Sequence, residues 1–231
     1  MDRIIIAVGG GELRNKTTLP IDREIARLAC ERAGERRGNA LFFPTASYDS
    51  LPYFNTFRKT YTSECGMKAD VALLTKKDIP TEKILSKIEA ADLIYVGGGN
   101  TMHLMRVWER LNLLTPIRAA YERGCILAGL SAGAICWFQD IYTDSDPEEA
   151  LDPFERNVNP REVKYSLQKG FGWINAAVSP HFNSRPEFVN IAEKAGFPLA
   201  YAIEDNAAAV FINETYSHSF SAGGEVRILK P

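Results

Sequence analysis

Short, fully apolar runs that stop at glycine recur along this chain, separated by amphipathic stretches, and that alternation restricts the fold more than any other feature. RIIIAVGGG is followed by the helix-patterned DREIARLACERAGER and then by NALFFPTAS; later come TEKILSKIEAA, DLIYVGGGN, TMHLMRVWERLNLLTPIRAAYERG and CILAGLS. Strand, helix, strand, helix in succession predicts an α/β fold, a mostly parallel sheet with helices on its faces. Residues 93–96 and 126–130 are apolar at nearly every position, the pattern of parallel strands buried on both faces. From about Phe138 to Trp173 the rhythm breaks: QDIYTDSDPEEALDPFERNVNP is acidic and proline-bearing, and is expected to be a long surface excursion. Strands are expected again in INAAVSPHF, LAYAIED, AAAVFIN and EVRILKP, the last of them giving the sheet an antiparallel C-terminal finish. With no internal repeat, low-complexity tract or linker, residues 1–231 are expected to form a single domain.

At 231 residues, 45 % hydrophobic and 24 % charged, the chain can bury a sizeable core. A formal net charge of −2, with no block of like charges, lacks the basic field of a nucleic-acid binder. The apolar run at 124–138 is shorter than the ~20 residues of a helical membrane span, and the opening run of five falls short of a secretory core. Cys30, Cys65, Cys125 and Cys136 are scattered with no C-x-x-C pair, which predicts free thiols in a reducing compartment and no structural zinc. The expectation is therefore a cytoplasmic protein with neither nucleic acid nor membrane as partner.

Within the uncharged stretch GCILAGLSAGAICWF stands a lone hydroxyl, Ser131, inside Gly129-Leu130-Ser131-Ala132-Gly133. G-x-S-x-G after a buried strand is the sharp strand-to-helix turn that lifts a nucleophile above a sheet, and the helix it opens has free backbone N–H groups for an oxyanion. A bare five-residue pattern also arises where small residues merely permit tight packing, so the partners matter. A serine hydroxyl needs a base. Of the three histidines, His103 falls in a helical stretch and His218 between two expected strands, whereas His181 ends a strand, where α/β sheets place ligand-facing residues. The orienting acid is expected from the loop between them, which offers Asp144 and Asp146, with Asp140 nearer the helix. YVGGGNT at 95–101 lacks the spacing of a dinucleotide or P-loop site, and its glycines would let a backbone N–H approach a reacting carbonyl. VGGGE at 8–12 reads as a tight structural turn.

Taken together, ADLIYVGGGNTMHLM, GLSAGAICWF, SPHFNSR and AIEDNAA, in this order and spacing, resemble the S51 serine peptidases, a family that includes aspartyl dipeptidases and cyanophycinases. The resemblance spans most of the chain. It implies a fold like that of the class I glutamine amidotransferases and a serine hydrolase of short peptides, of the aspartyl dipeptidase type, with no metal or cofactor. It implies Ser131 as nucleophile, His181 as base, and the Gly99 and Ala132 amides as oxyanion donors, with Asn100 beside them. The acid it implies is Asp146, with Asp144 as the alternative. Arg185 is the implied reader of a substrate carboxylate and Glu204 of its α-amino group. A β-aspartyl isopeptide as substrate, and a catalytically silent small-molecule binder, remain the other readings, and a homodimer is a possible assembly.

Overall fold

The computed structural model describes residues 1–75, 81–145 and 164–230. In chain order the first six strands are β1 (Ile4–Val8), β2 (Asn39–Phe43), β3 (Lys68–Val71), β4 (Leu93–Val96), β5 (Ile126–Leu130) and β6 (Phe138–Thr143). They are followed by β7 (Ser166–Lys169), β8 (Ile174–Ser179), β9 (Ala200–Ile203), β10 (Ala207–Ile212), β11 (Thr215–Ser221) and β12 (Val226–Leu229). The helices are α1 (Leu19–Ala33), α2 (Leu51–Lys59), α3 (Thr81–Ala90), α4 (Thr101–Arg110), α5 (Leu114–Glu122), α6 (Ala132–Ile135) and α7 (Phe188–Ala195).

The strands form a seven-stranded sheet, ordered β11-β10-β1-β5-β4-β2-β3, and a five-stranded sheet, ordered β12-β9-β8-β6-β7. In the larger one β1 to β5 are all parallel, and β10 and β11 add antiparallel strands beside β1. Successive side chains of a strand point to opposite faces. Thus Ile4, Ile6 and Val8 pack with α1 residues Ile21, Ile25 and Ala29 and with Phe57 of α2. Ile5 and Ala7, by contrast, join a second cluster with Ile84 of α3, Trp108 of α4 and Ile117 of α5. Both faces are covered, which is why β4 and β5 are buried along their whole length.

The smaller sheet departs from the single sheet that the sequence suggests. Its core is parallel, β6-β8-β9, with β7 and β12 as antiparallel edges. Part of the expected surface excursion is therefore interior: Phe138 and Ile141 are fully buried in the cluster shared with the larger sheet. The cause lies just after Ser131. α6 lasts only four residues, with Gly133 packed so closely on the Val96 carbonyl that any Cβ would overlap it, and the chain turns at once to bury two aromatic rings. Residues 146–163 of that excursion lie outside the described residues. His218 lies within β11, paired with Val210, rather than between strands. No helix among the described residues is long and apolar enough to cross a membrane.

Candidate active site

The site is assembled on the end of β1. Three successive carbonyls there each receive an N–H from a different part of the chain: Val8 from Ser131 at 2.9 Å, Gly9 from His181 at 3.1 Å, and Gly10 from Asn206 at 3.0 Å. Ser131 follows β5 with φ 52°, ψ −112°, a conformation that non-glycine residues seldom adopt and that turns the chain sharply into α6. His181 follows β8 with φ 51°, ψ 39°. These backbone positions bring the side chains together: His181 Nε2 lies 2.8 Å from Ser131 Oγ, and His181 Nδ1 lies 2.6 Å from Asp205 Oδ1. The second oxygen of Asp205 accepts from Asn183 Nδ2 at 3.2 Å, while the Asp205 N–H donates to Asn183 Oδ1 at 3.0 Å. The carboxylate is thereby fixed toward the imidazole. Gly10 is packed against this pair, and a Cβ at that position would overlap both Asp205 Oδ1 and His181 Nδ1. The turn at 8–12 is thus a seat for the imidazole and carboxylate, not only a tight bend.

The acid that meets the imidazole is not one of those expected from the loop after β6. Asp144 is exposed and pairs instead with Arg185, whose Nη2 is 3.6 Å from Asp144 Oδ2. Asp146 lies outside the described residues. Asp205 comes from the end of β9, after the histidine in sequence, and its neighbour Glu204 was the residue singled out there.

The three expected substrate contacts are already engaged. Asn100 caps α4, its Oδ1 accepting the His103 N–H at 2.8 Å, and its own N–H donates to Ala46 O at 2.7 Å. The Glu204 carboxylate accepts the Glu225 N–H at 3.1 Å and lies 3.8 Å from Arg227, so it ties the β9 end to the segment before β12. Arg185 is 5 % exposed, with its guanidinium stacked 4.6 Å from the Tyr165 ring centroid and donating to Tyr142 O at 3.5 Å. The oxyanion candidates are differently placed. The Gly98 N–H donates to the Tyr53 hydroxyl at 3.2 Å, whereas no acceptor among the described residues meets the Gly99 N–H. Ala132 opens α6, ahead of any intrahelical acceptor for its amide.

Comparison with known proteins places the chain in a family. Residues 5–218 match the family described as Peptidase family S51. The chain belongs to that family. It is 29 % identical over 227 residues to the uncharacterized peptidase YgaJ of Bacillus subtilis (strain 168), covering 96 % of this chain and 88 % of YgaJ. It is 23 % identical over 229 residues to a cyanophycinase of Synechococcus elongatus, covering 98 % of this chain and 65 % of that one. Peptidase E of Salmonella gallinarum is 39 % identical over 83 residues, 33 % of this chain and 36 % of that one. A crystal structure of a peptidase from an acI-B1 Actinobacterium superposes with a TM-score of 0.67 at 20 % identity, covering all of this chain and 88 % of that one. A putative peptidase E from Listeria monocytogenes EGD-e gives 0.61 at 19 %, with both chains fully covered. The fold expected from the sequence is thus the fold of solved peptidases.

In this S51 peptidase a cavity of about 460 Å³ opens over Ser131, lined among others by His181, Gly99, Tyr53, Glu12 and Arg14. Burial pushes the Tyr53 phenol up to about 12, with the Gly98 N–H acting against the shift, so the phenol stays a neutral hydroxyl beside the site. Beneath the loop after β1, Asp22 accepts from Thr18 Oγ1 at 2.7 Å and from the Tyr61 hydroxyl at 3.0 Å. Burial raises its carboxyl to about 6, against the pull of those two donors.

Proposed function

We propose that this S51 peptidase is a serine hydrolase of short peptides. The reading is carried by one observation, the unbroken hydrogen-bond chain Ser131–His181–Asp205 at a strained strand-to-helix turn. Ser131 Oγ attacks the scissile carbonyl while His181 Nε2 takes its proton; Asp205 holds the opposite ring nitrogen and steadies the imidazolium. The Gly99 and Ala132 amides stabilise the tetrahedral oxyanion. Collapse expels the amine, which leaves with the proton from His181, and water then attacks the acyl-serine by the same proton route.

The test is labelling by a fluorophosphonate together with hydrolysis of unblocked dipeptides. Labelling and cleavage in the parent, with both lost in Ser131→Ala, is the expected result; dipeptide cleavage that survives in Ser131→Ala overturns the mechanism. A folded parent that neither labels nor cleaves makes it a silent binder. Aspartyl dipeptides head the panel because of the resemblance to the aspartyl dipeptidases. The match to a cyanophycinase along almost the whole chain favours a second substrate class, the β-aspartyl isopeptide, and β-Asp-Arg in the same panel separates the two.

A further inference from the structure

We propose that Glu12 and Arg14 are the charges that read the substrate at this site: Glu12 takes the α-ammonium of a short unblocked peptide, and Arg14 takes a carboxylate of the same molecule. The assignment rests on the reading of Ser131 as a peptide-cleaving nucleophile. Both residues line the cavity that holds Ser131 and His181, and both side chains are exposed. The loop that carries them is closed on itself by hydrogen bonds. Glu12 N–H donates to Thr17 Oγ1 at 2.9 Å, Thr17 N–H returns to Glu12 O at 3.1 Å, and Lys16 N–H donates to Leu13 O at 3.2 Å. Between the two charges Leu13 is 4 % exposed, packed into the cluster of Ile21 and Ile25, and this anchor leaves its two neighbours facing outward over the cavity.

Charge availability decides between these residues and the ones the sequence suggested. Arg185 faces Asp144 and Tyr165, and Glu204 faces the Glu225 N–H and Arg227. Neither Glu12 nor Arg14 has an ion pair among the described residues, so binding need not break one. A dipeptide carries its ammonium and its carboxylate on the two Cα atoms that flank the scissile bond, about 3.8 Å apart. A cavity of about 460 Å³ with one group of each sign beside the nucleophile fits such a zwitterion. Arginine's planar fork suits a carboxylate, and charge-assisted hydrogen bonds are strong enough to select for it.

The carboxylate can be the C-terminus or an acidic side chain, and the probes distinguish them. Binding of Ala-Leu, Ala-Leu amide, Asp-Leu amide and N-acetyl-Ala-Leu is measured by titration calorimetry in the Ser131→Ala protein, which binds without turnover. Arg14→Gln is expected to weaken Ala-Leu about ten-fold or more while sparing its amide if the C-terminus is read, or to weaken Asp-Leu amide if the side chain is read. Glu12→Gln is expected to weaken Ala-Leu and leave N-acetyl-Ala-Leu unchanged. Equal affinities in parent and variants, equal losses on charged and blocked probes, or no binding of any probe overturns the assignment. Melting temperatures confirm that these exposed variants fold. Hydrolysis by the Ser131 parent is scored separately: selective binding without cleavage condemns the hydrolase reading, while cleavage indifferent to both charges condemns only the roles of Glu12 and Arg14.

Discussion

Single atoms decide the chemistry at Gly10 and Asp205. Gly10→Ala places a methyl where Asp205 Oδ1 and His181 Nδ1 already stand, so the imidazole must swing away from Ser131. A loss of kcat/KM of at least 100-fold is expected, with an unchanged far-ultraviolet circular dichroism spectrum. Asp205→Asn should lower kcat by about 10³–10⁴-fold. Asp144→Asn should lose no more than a few-fold, and steady-state kinetics on one substrate compares the two directly. Ser131 and His181 were legible because a lone hydroxyl in an uncharged run and a histidine at a strand end each break a local pattern. Asp205 broke none. It sits beside another acid in AIED, and only the approach of β9 to β8 in space shows which of the two faces the imidazole. For Arg185 and Glu204 the motifs around them do not reveal the charged partners, distant in sequence, that the fold brings to them.

At the scale of elements, α1 shows how burial couples a helix to acidity. Its Asp22 lies in the first turn, 1 % exposed, among Thr18 and Tyr61. Its carboxyl titrates near 6 when folded, above the ordinary value of 3.8, so the fold favours the protonated form. That contribution is complete below about pH 4 and disappears as pH rises through about 6, to a total of about 3 kcal/mol. Asp22→Asn keeps the shape and cannot ionise; the parent should therefore lose stability relative to the variant between pH 4 and 7, read from urea midpoints across that range. Parallel midpoints would contradict the buried carboxyl. The parallel strands and α1, α4 and α5 were visible as apolar runs and amphipathic stretches. β6 was hidden because α6 ends after four residues with no turn residue to mark the change, and β11, with its largely exposed TYSHSFS, carries no apolar run.

Over the whole molecule the two sheets meet through aromatic rings. Phe211 of β10 in the larger sheet lies edge-to-face with Phe138 of β6 and Tyr201 of β9 in the smaller, at centroid distances of 5.3 and 5.0 Å. Phe211→Ala should cost about 3–5 kcal/mol, measured as a shift of the urea unfolding midpoint. Activity should fail at lower urea than in the parent, because Ser131 follows a strand of one sheet and His181 and Asp205 follow strands of the other. The carbonyls of Val8, Gly9 and Gly10 also set an order in time. They emerge first during synthesis, yet the last partner they hold is Asn206, next to Asp205. A nascent chain therefore has its serine, and only near the end its histidine, before it has Asp205 or the final tether, and on the proposed mechanism a fragment ending before Asp205 is expected to be inert toward both dipeptide and fluorophosphonate. The proposed site is thus completed late, after most of the chain around it has been made.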